Sequence, residues 1–537
     1  MARFSLIGLL VVDGALAKML FTLQTTAGVP EADGLWMGAG LALMAVGLLG
    51  SKLPWRNCRA GPPAMFVPSA ASGIVKRITY ALAYVTILFA VMIAFRSIYR
   101  LDSTRVWRDT LTYTDAASLP LASDEFWFGL RAPTLPLIYK VFGLTSDVVD
   151  TPAFDIRSKR LILFQGAFSV LAFSLLGLVI GTLFIKTRWL KPATLGLFLA
   201  FGLNIAVSQW NKLLLSESLS TSLFVILMAL VLLGVYGWAH WEQAAAPWWI
   251  VYLLVLAVTT FFYALTRDTN MYFLLMAVAL LAAGLLFKSI QRHPGLHAYM
   301  ALIVVTGCIV VFQYVSFHRG LRWLYPFVNL FYERILPVPD ARAYFVKQGL
   351  PMADELDDLQ AVERRQLHIV LAQDEHYRPI YDWMVAHGSS AYARYLLLKP
   401  LNSMLLPFQD FRSLVSPDSS EYRIRMLDDP AWVTGLRHVL YPSNVFLLFA
   451  WLSGLVVSAV WQYKRCIGLP WQVVPVALLL TLYPLMFVIW HGDSIELERH
   501  AYQIDFQIRL ALWLATVFVF EGFLQYCAAQ LDRKRTT

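Results

Sequence analysis

Residues 108–140, RDTLTYTDAASLPLASDEFWFGLRAPTLPLIYK, form a polar segment between two apolar stretches of the chain. Four acids lie within it: Asp109, Asp115, Asp124 and Glu125. The flanking stretches 78–97 and 161–185 are long enough to cross a bilayer, for which a helix needs roughly 20 apolar residues. We therefore predict that the polar segment belongs to a loop, residues 98–160, between two membrane spans.

The composition of the whole chain agrees with this local pattern. Of its 537 residues, 58% are hydrophobic and only 15% are charged, which excludes an ordinary soluble globular protein. The fold class that we predict is an all-α polytopic membrane protein with about twelve transmembrane helices. The spans are predicted at residues 4–23, 35–51, 78–97, 161–185, 193–209, 214–237, 247–265, 270–287, 298–316, 441–461, 471–490 and 506–527.

The basic residues predict the orientation of these spans, because cytoplasmic loops are enriched in Lys and Arg. With the N-terminus inside, the short external loops hold only Lys212, Arg267 and Arg499. This orientation places the polar stretches 98–160 and 316–440 outside a bacterial inner or plasma membrane. The net charge of +9 is then explained by the cytoplasmic loops, and no nucleic-acid partner is expected.

Four parts of the chain are predicted. Residues 1–77 hold two N-terminal spans and a cytoplasmic linker, and residues 78–315 form a transmembrane core that carries the loop 98–160. Residues 316–440 form an external or interfacial helical segment, and residues 441–537 hold the C-terminal spans. Within the third part, residues 391–407 are amphipathic and interrupted by proline, which is typical of a segment that lies on the membrane surface.

Sequence motifs limit the cofactors that this chain could use. Its four cysteines are too few for a disulfide framework, and we expect no disulfide. Neither CxxC nor HExxH occurs, nor do the nucleotide-binding patterns GxGxxG and GxxxxGK[ST]. No cofactor is therefore predicted with certainty. A divalent metal stays open, since carboxylates are available but no ligand spacing commits to one.

The start of the polar loop is the first candidate for catalysis. On a helix, Asp109, Tyr113 and Ala116 or Ala117 fall on one face. A carboxylate just outside the hydrocarbon boundary is well placed to act as a base towards a substrate hydroxyl. The alternative interpretation is a solvated capping turn whose charges face water.

Further polar residues follow at the external ends of later spans. Glu217 begins one span, and Arg267 precedes Asp268 between two others. A third group lies before the last span: His491, Asp493, Glu496, Glu498, Arg499 and His500. Arg267 and Arg499 are candidates for binding a phosphate, since a guanidinium group matches it with two hydrogen bonds. The alternatives are snorkelling to the interface or a local ion pair of Arg267 with Asp268.

The order of these motifs between residues 78 and 527 resembles the GT-C superfamily of integral-membrane glycosyltransferases, especially protein mannosyltransferases and aminoarabinose transferases. The motifs that carry the resemblance are Asp109, Tyr113 and Ala117 followed by Arg131-Ala-Pro-Thr-Leu-Pro-Leu, then Ser216-Glu217, Arg267, Lys399-Pro400-Leu401 and Glu498-Arg499-His500-Ala501-Tyr502. The chain departs from the family in three respects: two extra N-terminal spans, a single Asp109 where an acidic pair is frequent, and His500 where tyrosine is common.

This resemblance implies transfer of a sugar from a polyprenyl-phosphate donor to an extracytoplasmic glycan, lipid or protein. It implies an inverting displacement at the external face of the membrane. Asp109 would be the catalytic base, with Asp115 in reserve. The donor phosphate would bind Arg267, Arg499 and His500, and the residues that orient the substrates would be Tyr113, Arg131 and Glu217.

Three other functions are compatible with the sequence. About twelve spans with both termini inside is a common layout for a transporter, although carriers often show two similar halves. O-antigen ligases and polymerases also use lipid-linked donors, but they are known for one large late external loop. A non-catalytic assembly subunit is the third alternative.

Overall fold

The computed structural model describes residues 108–240, 246–363, 366–417, 431–464, 470–494 and 497–536. Within these ranges the chain is helical and contains no β-strand, which confirms the all-α prediction for this part of the chain. The described residues fall into two compact units, one of which is residues 330–415. The predicted spans 4–23, 35–51 and 78–97 lie outside the described residues.

In the described residues before position 331, we number twelve α-helices. They are α1 (Arg108–Ser118), α2 (Asp124–Phe128), α3 (Thr134–Val141), α4 (Pro152–Val179), α5 (Leu190–Leu203), α6 (Ile205–Ser208), α7 (Ser216–Ala239), α8 (Ala246–Ala264), α9 (Asp268–Gly284), α10 (Lys288–Gln291), α11 (Leu296–Arg319) and α12 (Leu324–Leu330).

Seven helices belong to the unit 330–415: α13 (Pro339–Lys347), α14 (Leu356–Ala361), α15 (Leu367–Gln373), α16 (Arg378–Trp383), α17 (Ser389–Leu398), α18 (Pro400–Leu405) and α19 (Phe411–Val415). Five more follow it: α20 (Ala431–Leu440), α21 (Val445–Lys464), α22 (Val473–Leu480), α23 (Leu482–Gly492) and α24 (Leu497–Thr536).

Six helices in the described residues are long and apolar enough to cross a membrane, and a seventh candidate is bent by 49°. The six are 152–184, 216–239, 296–319, 445–462, 473–492 and 497–531, and the bent pair covers 190–203 with 205–212. The predicted spans 247–265 and 270–287 coincide with two shorter apolar helices, 248–264 and 268–284. The described part of the chain is therefore a multi-helix membrane protein by length and composition, and the total of twelve spans stays a prediction.

The core of the larger unit forms where α4 packs against α5 and α7. Gly177 permits the close approach of α4 to α5, because a Cβ atom there would lie 2.9 Å from the Cα of Leu195. Aromatic rings then join a third helix to this pair, since Phe173 and Phe201 both pack on Phe506 of α24, at centroid distances of 6.1 and 5.6 Å. This core fixes the helix ends from which the polar residues of the larger unit project.

The unit 330–415 has a small apolar core of its own, which includes Phe345, Leu356 and Ile380. The segment 353–373, whose spacing is helical in the sequence, forms the two short helices α14 and α15 after a 3₁₀ turn. Residues 391–407 likewise form two helices that break at Pro400. Four large apolar side chains on them are exposed: Leu397, Leu398, Leu401 and Met404.

Replacement of Gly177 by leucine tests the contact between α4 and α5. We expect Gly177→Leu to lower the free energy of unfolding by about 1–3 kcal/mol, because the new side chain would force two packed helices apart. The matched control is Gly196→Leu in α5, where a Cβ atom meets no other described residue within 4 Å. The measurement is unfolding of the detergent-purified variants by a denaturing detergent. Equal destabilisation of both variants, or of neither, would contradict the packing described for Gly177.

Candidate functional site

A continuous chain of ion pairs joins four segments of the larger unit that are distant in sequence. Arg499 lies at its centre: its Nη1 donates to Oδ2 of Asp109 at 2.6 Å, and its Nε donates to Oε1 of Glu217 at 2.5 Å. Glu217 also pairs with Arg267, whose Nη1 lies 3.4 Å from the same Oε1. The first loop, the start of α7, the α8–α9 turn and the last helix therefore meet at one place.

Arg131 extends this chain within the first loop. Its Nη2 donates to Oδ1 of Asp109 at 2.6 Å, and its Nε donates to the hydroxyl of Thr112 at 2.7 Å. The guanidinium group lies 4.7 Å from the ring centroid of Tyr113, a distance suited to a cation–π contact. Both carboxylate oxygens of Asp109 are thus bound by an arginine.

The chain continues at its other end through His500. Arg267 Nη2 lies 3.1 Å from Nδ1 of His500, and Nε2 of that ring lies 3.4 Å from Oδ2 of Asp493. An arginine can only donate hydrogen bonds, so Nδ1 accepts and the ring proton belongs on Nε2, facing Asp493. Asn329 donates to the second oxygen of Asp493 at 3.3 Å. These contacts orient His500 towards Arg267.

Hydrogen bonds to one carbonyl bring the first loop to the start of α7. The carbonyl of Leu214 accepts from the hydroxyl of Thr110 at 3.2 Å and from Tyr139 at 2.7 Å. Asp109 directly precedes Thr110 in α1, and Glu217 lies in the first turn of α7, where the helix dipole favours a carboxylate. The two acids therefore face each other across Arg499.

Similar contacts fix the α8–α9 turn that carries Arg267. The main-chain N–H of Thr134 donates to Leu265 O at 3.1 Å, which ties the start of α3 to this turn. Asn270 donates to the hydroxyl of Ser220 at 3.0 Å and to Tyr263 O at 2.7 Å. The turn is therefore bonded to α3 before Arg267 and to α7 after it.

Exposure falls along the chain of ion pairs. The side chains of Asp109 and Arg131 are 28% and 25% exposed, whereas those of Arg499 and Glu217 are 7% and 0% exposed. The cluster is therefore open at the first loop and closed at α7. A solute would meet Asp109 before it met the buried arginines.

Asp109 is held in its charged form. Burial alone would raise the pKa of its carboxyl, but the guanidinium groups of Arg499 and Arg131 outweigh that effect and hold the pKa well below its ordinary value of 3.8. An oppositely charged group at 2.6 Å that also donates a hydrogen bond is the strongest of the ordinary stabilising contacts. Asp109 is accordingly ionised at neutral pH.

A narrow cavity lies beside the closed end of the cluster. It has a volume of about 10 Å³, room for about one water molecule. Its lining includes Glu217, Arg267, Tyr263 and Gln503. Oε2 of Glu217 and Oε1 of Gln503 are buried without a hydrogen-bond partner among the described residues, so each is able to accept a hydrogen bond.

The structure brings together seven of the eight residues that the sequence singles out. They are Asp109, Tyr113, Arg131, Glu217, Arg267, Arg499 and His500. Asp115 lies apart from them: it is exposed, and six residues along α1 rotate it about 240° from Asp109. As the reserve base it would have to act from another face of the helix.

A second ion pair, between Asp268 and Arg322, is absent from the sequence-based predictions. Arg322 Nε lies 3.0 and 3.1 Å from the two carboxylate oxygens of Asp268, and its Nη1 donates to Gly129 O at 3.0 Å. Asp268 therefore does not form the local pair with Arg267 that we considered. Arg322 instead ties the residue next to Arg267 to the loop segment that carries Arg131.

Only one feature of the sequence points to the ion pair between Arg322 and Asp268, namely the position of Arg322 after an apolar span. Arg322 follows the span 296–319 in the sequence FHRGLRW, where an arginine ordinarily snorkels to the interface. Its neighbour Arg319 keeps 57% of its side chain exposed, whereas the side chain of Arg322 is only 3% exposed. Burial of the second arginine depends on Asp268, 54 residues away, which the sequence alone does not reveal.

Among the described residues, no group of three or more His, Cys, Asp and Glu side chains is arranged to hold a metal ion. The acids of the cluster face arginines, which compete with a cation for the same oxygens. The described cluster itself contributes carboxylates, guanidinium groups and one imidazole.

Replacement of Arg322 by lysine tests its role as a tether. Lysine cannot reproduce the fork of donors that reaches both Asp268 and Gly129. We expect local opening of residues 124–131 to become about 1–3 kcal/mol easier, so that their amide hydrogens exchange about 5 to 150 times faster. Hydrogen exchange followed by mass spectrometry measures this. The control is Arg292→Lys, an exposed arginine that precedes α11, and it should leave the exchange of residues 124–131 unchanged. Wild-type protection in Arg322→Lys would show that Arg322 is not a tether.

No family model, curated protein or solved structure matches this chain. Interpretation of its function therefore depends on the geometry and chemistry of the cluster.

Proposed function

We propose that this protein is a membrane glycosyltransferase of the GT-C type, which transfers a sugar from a polyprenyl-phosphate donor to a hydroxyl group of an extracytoplasmic acceptor. The observation that carries the proposal is the ion-pair chain of Asp109, Arg499, Glu217 and Arg267. It combines a partly exposed carboxylate with buried guanidinium groups. Such a transfer needs one base and one group that stabilises a departing phosphate.

The two buried arginines suit the departing phosphate. Arg499 and Arg267 share one oxygen of Glu217, which fixes both side chains before any substrate arrives. A phosphate that displaces a carboxylate from them would receive charge-assisted hydrogen bonds. Such a displacement is required, because the cavity beside Arg267 has room for only about one water molecule. Their burial strengthens this attraction, because little water is present to screen it.

Asp109 suits the role of base because of its position at the open end. In the proposed displacement, the acceptor hydroxyl gives its proton to Asp109 while its oxygen attacks the anomeric carbon. The bond from that carbon to the phosphate oxygen breaks, and the electron pair leaves with the polyprenyl phosphate. Attack opposite the leaving group inverts the anomeric configuration.

The ion pair between Asp109 and Arg499 would couple donor binding to basicity. In the free protein, Arg499 stabilises the Asp109 carboxylate and makes it a weak base. A donor phosphate that takes up the Arg499 guanidinium would withdraw this stabilisation, and its own negative charge would favour protonation of Asp109 further. The carboxylate would thus become a stronger base only when the donor is present.

Replacement of Asp109 by asparagine tests the base. We expect Asp109→Asn to lower sugar transfer by about 10²–10⁴-fold, the range typical of losing a general base. The assay is transfer of radiolabelled sugar from polyprenyl-phosphate sugars to acceptors in membranes that contain equal amounts of folded protein. The matched control is Asp115→Asn on the same helix, which should stay close to the wild type. Near-normal transfer by Asp109→Asn would show that Asp109 is not the catalytic base.

The pH dependence of the reaction tests the coupling. The value of kcat/KM reports the free enzyme and kcat reports the donor complex. Because the pKa of Asp109 in the free protein lies below its ordinary value, kcat/KM should show no loss from this group down to about pH 5. The acid limb of kcat should lie about 1–3 pH units higher than that of kcat/KM. Coincident acid limbs would contradict the coupling.

A further inference from the structure

The imidazole ring of His500 has a charged group at each of its two nitrogens. Arg267 Nη2 lies 3.1 Å from Nδ1, and Oδ2 of Asp493 lies 3.4 Å from Nε2. The arginine comes from the α8–α9 turn and the aspartate directly follows α23, while Glu498 and Arg499 precede the histidine on its own helix. The side chain of His500 is 24% exposed, so protons from the solvent can reach the ring.

The contact with Arg267 requires a neutral imidazole. Nδ1 accepts the hydrogen bond of the guanidinium group, and Nε2 carries the ring proton. A second proton on Nδ1 would face Arg267 Nη2 at 3.1 Å, which would set two donors and two positive charges against each other. Arg267 therefore opposes protonation of His500, whereas the carboxylate of Asp493 favours it. Displacement of either neighbour would change this balance.

The charges of the described ion-pair chain cancel when His500 is neutral. The chain holds three guanidinium groups and three carboxylates, those of Arg131, Arg267 and Arg499 and of Asp109, Glu217 and Asp493. A phosphodiester would add one negative charge. An uncompensated charge is costly where little water can solvate it. Binding of the diester should therefore favour uptake of one proton by the chain.

His500 is the group best placed to take that proton. Carboxyl groups ordinarily bind protons near pH 4, whereas imidazole is the side chain that changes its charge between pH 5 and 8. A phosphate that takes up Arg267 would remove the cation that opposes a proton on Nδ1 and would offer an acceptor oxygen instead. Asp493 would stay in place on the other side of the ring.

We propose that His500 takes up a proton when the donor phosphodiester binds and becomes a third cation at the phosphate. The proton comes from the solvent and binds to Nδ1, which then donates to a phosphate oxygen. Nε2 keeps its proton and donates to Asp493, which is a positioning residue for the ring. This inference rests on the proposed function and adds a proton to the donor complex.

The proton on His500 would also serve the base. Because the imidazole supplies the compensating charge, the Asp109 carboxylate stays free to accept the proton of the acceptor hydroxyl. The resemblance to the GT-C superfamily does not supply this role, since tyrosine is common at this position in that superfamily and a phenol has no cationic form.

Calorimetry of a soluble donor analogue tests the inference. The probe is farnesyl methyl phosphate, a diester that lacks the second ionisation, near pH 6, of a phosphate monoester. Titration of the detergent-purified protein in two buffers of different ionisation enthalpy measures the protons taken up. We expect the wild type to take up about half a proton or more at pH 7, so that its affinity falls about tenfold or more between pH 6 and pH 8.

Three variants assign the proton to His500. Asparagine in His500→Asn still offers an oxygen to Arg267 but does not ionise, so proton uptake and the pH dependence should be lost. Asp493→Asn removes the anion that favours the charged ring and should shift the pH dependence to lower pH. The control is His297→Asn, an exposed histidine at the start of α11, which should behave as the wild type.

Two results would overturn the inference: binding by the wild type without proton uptake, and equal uptake by the wild type and His500→Asn. If His500→Asn does not fold, Asp493→Asn makes the assignment, and an unchanged pH dependence in that variant would contradict it. If the diester binds too weakly for calorimetry while sugar is transferred, kcat/KM for the full-length donor replaces it. That value should fall towards alkaline pH in the wild type and not in His500→Asn.

The outcome separates failure of this inference from failure of the proposed function. If the wild type transfers sugar and binds the diester without taking up a proton, the role of His500 is wrong and the transferase proposal stands. If the wild type neither binds the diester nor transfers sugar, both are wrong.

Discussion

The buried guanidinium group of Arg499, bound by Asp109 on one side and Glu217 on the other, is the interaction on which the site depends. Arg499 belongs to the last helix, Asp109 to the first loop and Glu217 to the start of α7. In the sequence, Glu217 is 282 positions and Asp109 is 390 positions from Arg499. Burial of an unpaired charge costs several kcal/mol, so each carboxylate is needed to keep the arginine where it lies. The arginine in turn keeps two acids within reach of each other without repulsion.

Stability of the folded protein alone does not explain such an arrangement. A buried ion pair often stabilises a protein no more than apolar residues of the same volume would, and charged groups at the ends of membrane spans commonly mark a functional site. The gradient of exposure, from Asp109 at the open end to Glu217 at the closed end, gives the cluster a direction. The proposed transfer uses this direction: the acceptor approaches Asp109, and the phosphate is held by the buried arginines.

The sequence alone predicted the residue types of the cluster well, because each lies at a polar boundary of an apolar span. Asp109 and Tyr113 have the spacing of one helix face, and Glu217, Arg267 and Arg499 each stand at the end of a span. Which of them would pair could not be predicted, since the pairing depends on how α7, α8, α9 and α24 pack. The choice of Glu217 over Asp268 as the partner of Arg267 is an example.

Two features were beyond sequence reasoning for a clear physical reason. The burial of Arg322 requires Asp268 and a carbonyl of the first loop at one point in space, and the contact of Phe128 with Phe312 requires the first loop to fold back on α11. Both are tertiary contacts with no local signal. Conversely, the length of the apolar runs was sufficient to place seven predicted spans on candidate membrane-spanning helices.

The claim that the arginine cluster binds a donor phosphate is tested most directly by comparing two ligands that differ only in that group. Purified wild type and Arg499→Gln would be titrated with polyprenyl phosphate and with the corresponding polyprenol. Our account predicts that the wild type prefers the phosphate by about tenfold or more and that Arg499→Gln loses most of this preference. Equal affinity of the wild type for both ligands, or an unchanged preference in Arg499→Gln, would contradict it.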